Sequence, residues 1–420
     1  MTTFGTARSV GLAAGCAMLL AVPIEAVDAS AGGQKRAPSG RKQAQAPALG
    51  ASENAAIRPL YNAVRDQDWA AANAALPAAR AAAQSPAGRY LLGQLMLEIG
   101  RGQPDPSMQR QAVDAMIASG GAPAEILPQL LAAQTGFALQ ANDIATAESA
   151  LDRLVALQPN DVERLTQLAA VKVRLNKRQE AFNLYRRIAQ IGEAAGGQAP
   201  EQVYRQMLAI AYEGRMVGPA FELSRTLVTH YPSAGNWRSV LGVYRDLSGG
   251  PELDVDRLMR AAGALGSERD FYVYAQAAST AGLPGEAKAV LEEGFARNVF
   301  QSAAPQAREL LAAVSAQVAE DRASLARAGT QALAAADGRA ARRTGDAYYG
   351  YGQYAEAAEL YRAALRKGGE DPGLVNLRLG AALARAGRRA EAEAALRAVA
   401  AGNNAELAIL WRLWLASPHP

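Results

Sequence analysis

The chain has 420 residues; half are hydrophobic, largely through alanine, only 6% are aromatic, and the net charge is +4. Alanine is the best helix former and a poor strand residue, so this composition favours close-packed helices and argues against a β-rich core. The charge excess is too small for a nucleic-acid reader, which would carry a basic stripe on its fold.

The first segment, 1–29, reads as an export signal. Arg8 precedes an apolar run from Val10 to Val22, and small residues follow at Ala26 and Ala29. The run is short for a membrane span, and no later stretch reaches the required length. Cys16 follows Leu12-Ala13-Ala14-Gly15, which resembles a lipoprotein box. Leucine falls one place early and the residues after Cys16 stay apolar, so ordinary cleavage is preferred to lipidation. Cleavage near Ala29 would leave a mature chain without cysteine and therefore without disulfides.

Segment 30–50 holds Lys35, Arg36, Arg41 and Lys42 and no acid. With the signal and this tail set aside, 39 basic residues face 38 acidic ones. The basicity belongs to the tail, whose Gly, Ala, Gln and Pro content reads as a disordered linker.

From residue 51 onward the chain repeats. Ala147, Ala181, Ala220, Ala287, Ala357 and Ala392 form a ladder with steps of about 34–39 residues, the intervals 220–287 and 287–357 each spanning two steps. Four residues after each anchor stand Leu151, Tyr185, Ser224, Leu291, Tyr361 and Leu396; seven after stand Leu154, Ile188, Leu227, Gly294, Ala364 and Val399. Those offsets share one helical face. Five residues before the anchors come Asn142, Asn176, Arg215, Gly282, Gly352 and Gly387. Gly and Asn suit a turn with positive φ at a helix C-terminus. Each unit is thus a helix, a tight turn and a second helix with an apolar stripe. The expected pairs are 54–83, 87–119, 123–157, 160–191, 200–230, 234–265, 268–297, 304–335, 337–367 and 372–400, followed by a last helix, 404–416. Pro77 is expected to kink the first pair, while Pro219 and Pro284 fall just inside helix starts.

These units resemble tetratricopeptide repeats. The fullest copy is Gly345, Tyr348, Gly352, Ala357, Tyr361 and Ala364, with Pro372 closing late; the next carries Gly380, Leu383, Gly387, Ala392 and Leu396. Lys172 and Ser224 depart from the aromatic positions. The resemblance implies an all-α, right-handed superhelical solenoid over 51–403, with residues 404–420 forming a capping helix and tail. No single pair buries enough apolar surface alone, so neighbours must stack. Gly345, Tyr348, Ala357 and Tyr361 are accordingly read as packing residues.

Chemistry is sparse. The two histidines, His230 and His419, are isolated, and no metal-ligand cluster, phosphate loop or nucleophile elbow is present in the sequence. No cofactor and no metal is expected, and the protein is read as non-enzymatic. The resemblance instead implies a concave surface lined by first-helix positions: Arg205 and Tyr212; Arg269, Tyr272 and Gln276; and Arg339, Arg342, Asp346 and Tyr349. Arginine forks match carboxylates and tyrosine adds contact area, so the expected ligand is an extended or acidic peptide segment. In the last helix, Trp411 and Trp414 sit in LAILWRLWL. A capping role is preferred there, with a homodimer contact or a membrane-surface dock as alternatives. The expected function is a protein-binding scaffold of the bacterial cell envelope, located in the periplasm. The alternatives are a structural subunit of an export or polysaccharide secretion assembly, and an enzyme with an unrecognised site.

Overall fold

The computed structural model describes residues 49–249, 252–300, 304–402 and 404–417. The expected export signal, Cys16, His419 and nearly all of the linker lie outside the described residues. The chain falls into two compact units that meet at Gln198 and Ala199.

The first unit contains α1 (Ala51–Arg65), α2 (Trp69–Ala82), α3 (Pro86–Gly102), α4 (Pro106–Ala118), α5 (Leu127–Gln140), α6 (Ile144–Leu157), α7 (Val162–Arg174) and α8 (Arg178–Ala194). The second contains α9 (Glu201–Glu213), α10 (Val217–His230), α11 (Ala234–Ser248), α12 (Glu252–Ala261), α13 (Glu268–Thr280) and α14 (Pro284–Ala296). It continues with α15 (Pro305–Ala334), α16 (Gly338–Gly350), α17 (Tyr354–Lys367), α18 (Pro372–Arg385), α19 (Arg389–Arg397) and α20 (Ala405–Ala416). Among the described residues the fold is all-α, and consecutive helices pack pairwise as hairpins in a repeating array.

The register follows the alanine ladder. All six anchor alanines are fully buried, and each lies in the second helix of its pair. The six turn residues five places earlier all have positive φ, from 53° at Arg215 to 76° at Gly387. At the last turn the Gly387 amide donates to the Ala384 carbonyl (3.1 Å) and the Arg388 amide to the Leu383 carbonyl (2.9 Å). That hydrogen-bond pair closes a helix C-terminus through a left-handed residue. Several first helices start on side-chain caps: Asp161 for α7, Ser233 for α11, Ser267 for α13, Asp337 for α16 and Asp371 for α18.

Close approach within a pair is set by small residues. A Cβ on Gly345 would lie 2.9 Å from the Tyr361 ring, and one on Gly380 would lie 2.4 Å from the Leu396 side chain. The opening residues of the best repeat therefore pack, glycine against tyrosine. The departure at Lys172 also has a physical reason. Its ammonium is almost buried and meets Glu148 at 2.7 Å, Glu180 at 2.8 Å and Asp152 at 3.3 Å. Burial alone would lower its pKa, but those three carboxylates outweigh it and hold the group well above the usual lysine range.

One expected pair is corrected: 304–335 is not a hairpin but the single 30-residue helix α15. No Gly, Asn or Pro stands between Pro305 and Gly329, so nothing supplies the positive-φ turn that breaks the other pairs. Gly329 itself serves close packing, since a Cβ there would lie 3.1 Å from the Tyr348 hydroxyl. Pro77 and Pro59 lie inside α2 and α1, which continue through them.

Within the second unit, contacts also form between helices far apart in sequence. α12 packs on α18, and α20 packs on α10 as well as on α18 and α19. Arg225 of α10 and Glu406 of α20 pair at 2.9 Å. A simple array in which each repeat touches only its neighbours has no such contacts.

Candidate functional site

The long-range contact between α12 and α18 is made by charge. α12 is short and reads ELDVDRLMRA, with Asp254 and Arg257 one helical turn apart and both buried. The Arg257 guanidinium donates two hydrogen bonds to Glu286 of α14, at 2.7 and 2.8 Å, in the bidentate geometry that suits a planar fork. It also lies 3.4 Å from Asp254 and 3.6 Å from Asp346 of α16, with its carbon 4.4 Å above the Tyr349 ring.

Arg378 of α18 grips Asp254 with Nε at 3.0 Å and Nη2 at 2.9 Å, and its Nη1 donates to Asp346 at 2.8 Å. Arg342 of α16 donates to Asp346 at 2.9 Å and to Glu370 at 2.8 Å. Two tyrosine hydroxyls complete the network, Tyr361 donating to Asp346 and Tyr274 to Glu286, each at 2.7 Å. Three guanidinium groups thus face four carboxylates, with the exposed Arg339 lying 3.7 Å from Glu370.

The electrostatics of this cluster are fixed. Burial alone would raise the pKa of Asp254, yet Arg378 and Arg257 hold it below the usual carboxylate range. Burial opposes the charge on Arg257 and Arg378, but their carboxylate partners keep both guanidiniums more firmly protonated than usual. Burial pushes the hydroxyls of Tyr274 and Tyr361 well up, with Glu286 and Asp346 adding to it. Asp254 and the two buried guanidiniums are thus held charged and the two hydroxyls protonated, and the cluster ties α12, α14, α16 and α18 together.

Asp256, on the same helix, behaves differently. It pairs with Arg245 of α11, while its second carboxylate oxygen and the Arg245 Nε are buried without a hydrogen-bond partner. Burial pushes its carboxyl up to about 7; Arg245 opposes this, and Glu252 and Asp270 add to it.

A cavity of about 530 Å³ opens beside the ionic cluster. Leu253, Leu283, Leu325 and Ala328 give it apolar walls, and three arginines, Arg342, Arg343 and Arg378, and two carboxylates, Asp321 and Asp346, line its polar side. That volume falls in the range of ligand-binding clefts, with apolar walls and a few convergent polar groups. Arg342 and Arg378 are tied to carboxylates, but Arg343 is exposed and has no ionic or hydrogen-bonded partner among the described residues. Also among the described residues, no group of three or more His, Cys, Asp or Glu is placed to hold a metal ion. None of the described helices is long and apolar enough to cross a membrane.

The residues assigned to a groove from sequence are scattered by the fold. Arg342 and Asp346 line the cavity, while Tyr349 is buried beneath Arg257. Arg339, Arg269 and Gln276 are exposed, and Tyr272 is half-buried. Arg205 lies 3.4 Å from Glu201, and the Tyr212 hydroxyl donates to Asp246 at 2.6 Å. None of the five residues on α9 and α13 lines this cavity. Trp411 is fully covered and Trp414 nearly so, their rings meeting edge to face at 5.4 Å. Sequence reasoning passed over Arg257, Asp254, Glu286 and Arg378. A signal for one of them was present: Arg378 is the lone cation between Leu374 and Ala384, in an otherwise mostly apolar stretch of α18.

No family model matches the chain, and no curated protein matches it. Among solved structures it is similar to a tetratricopeptide repeat protein from Parabacteroides merdae, at 12% identity and a TM-score of 0.27 over 80% of this chain and 100% of that one. It is similar also to a structure of Naa15/Naa10 bound to HypK-THB, at 14% identity and a TM-score of 0.25, over 85% of this chain and 64% of that one. A third is the APC/C hetero-tetramer Cut9–Hcn1, at 12% identity and a TM-score of 0.23, over 83% and 66%. At these identities and scores the likeness adds nothing to what the helix pairs themselves show.

Proposed function

We propose that the protein is a non-enzymatic scaffold that binds an acidic polypeptide segment in the second unit, and that it works in the bacterial cell envelope after export. The observation that carries the binding reading is the unpaired Arg343 at a cavity of about 530 Å³ whose other two arginines are held rigid by carboxylates. A rigid frame lowers the ordering cost of binding, and an arginine fork recognises a carboxylate with geometric selectivity. The non-enzymatic reading is supported by the cluster beside the cavity, whose shifted groups are all moved away from neutral pH.

The test is binding of acidic and basic peptides of equal length to the wild-type protein and to Arg343→Glu. Acidic peptides should bind, and the charge reversal should weaken them at least about tenfold. Equal binding of both peptide classes, or acidic binding that survives the reversal, would remove the cavity from the proposal. The envelope reading rests on Arg8, the apolar run Val10–Val22 and Ala29. A mature N-terminus near Ser30 in cells supports it, and an intact Met1 chain in the cytoplasm refutes it.

A further inference from the structure

A second surface lies at the end of the second unit, away from the cavity at Arg343. α20 lies against both helices of the preceding pair, α18 and α19, as α3 lies against both α1 and α2. It therefore occupies the place of the first helix of a further repeat. One side of α20 is covered by α18 and α19 and another by α10. The remaining face carries Ile409, Arg412, Leu413 and Ala416, offsets that form one helical stripe. With Ala390 of α19 that stripe floors an open groove of about 610 Å³. Ile409 and Leu413 are half-buried in it, although Leu407, Leu410 and Leu415 of the same helix are buried.

The rim of the groove decides what fits. Arg412 and Arg397 share one carboxylate, Glu393, each at 2.9 Å. Arg389 lines the groove and has no ionic or hydrogen-bonded partner among the described residues. Three arginines therefore stand over one glutamate. A second copy of the chain docking by a two-fold axis would set this patch against itself, arginine excess against arginine excess. Like charges across an interface are a strong negative selector.

We infer that the groove between α19 and α20 takes an amphipathic helix of a different protein, one with an apolar stripe flanked by acidic residues. Its stripe completes the helix pair that α20 begins, and its carboxylates meet Arg389 and Arg412. The apolar contact supplies affinity, in the way an amphipathic helix lies in a hydrophobic groove. The arginines select the charge of the flanks.

Two synthetic helical peptides with the same leucine–alanine stripe serve as probes, one flanked by glutamates and the other by lysines. Fluorescence anisotropy with the full chain should show the glutamate peptide binding at least about tenfold more tightly than the lysine peptide. Leu413→Glu should weaken the glutamate peptide at least about tenfold. Arg389→Glu, which breaks no described ion pair, should abolish the preference while leaving the melting curve unchanged. Arg343→Glu should leave both affinities unaltered, which separates this groove from the cavity proposed above. Failure of both peptides to bind, equal affinity for the two, or binding indifferent to Leu413→Glu and Arg389→Glu would each overturn the inference. So would a dimer in sedimentation that Leu413→Glu dissociates, since the occupant would then be a second copy.

Discussion

Arg215 is the one residue of the six turn positions with a long side chain, and it is held at φ 53° where its equivalents are asparagine or glycine. The left-handed region costs an L-residue roughly 1–2 kcal/mol that glycine escapes, against a smaller entropic cost of glycine in the unfolded chain. Arg215→Gly should therefore stabilise the second unit by about 1 kcal/mol, read from urea denaturation. A loss of stability would mean that the side chain makes contacts that matter more than its backbone. The pH response has a residue-scale origin as well. Burial raises the Asp256 carboxyl from 3.8 to about 7 in the fold. A carboxyl whose pKa is higher folded than unfolded contributes stability that is complete below 3.8 and lost as pH rises through about 7. Wild-type stability relative to Asp256→Asn should therefore fall between about pH 4 and about pH 8. A difference that does not change with pH would show that Asp256 is ionised throughout. The turn residues were legible in sequence because positive φ narrows the choice to glycine and asparagine. Asp256 was not, because Arg245 and Asp270 come to it from two other helices, α11 and α13.

At the scale of elements, the hairpins were read closely because each is a local object: cap, apolar face, turn, apolar face. The exception is instructive. α15 has the alanine-rich faces of a pair but lacks a turn residue, and helix propensity then carried the chain through 30 residues without a break. The clasp between α12 and α18 escaped sequence reasoning for a different reason. Asp254 and Arg378 are 124 residues apart, and nothing in a helical period says which distant carboxylate an arginine will meet. The clasp makes a sharp prediction. Arg378→Met leaves the buried Asp254 with only the longer contact to Arg257, at 3.4 Å, and should cost about 3–5 kcal/mol. Adding Asp254→Leu should recover much of that loss, because a buried ion pair replaced by apolar side chains is often close to neutral. Thermal denaturation of the two single variants and the double variant gives the coupling directly. Additive losses would mean that the two side chains do not hold each other.

At the scale of the molecule, the proposed binding role rests on where the charges of the second unit sit. Here the buried arginines and carboxylates of the second unit are paired with one another, while Arg343 and Arg389, exposed and without an ionic partner among the described residues, stand at a cavity and a groove. The sequence made an arginine- and tyrosine-rich surface legible but assigned too much of it to a partner. Tyr349, Arg342 and Asp346 are engaged by Arg257, Glu370 and Arg378 of the same chain. The most direct test places a photo-crosslinking residue at Thr344, which also lines the cavity, and captures partners from cells that make the protein. The expected result is one crosslinked polypeptide, joined through an acidic segment and lost when Arg343→Glu is added. Crosslinks only to the chain itself, or to many proteins without regard to charge and unaffected by that change, would contradict a scaffold that binds through this site.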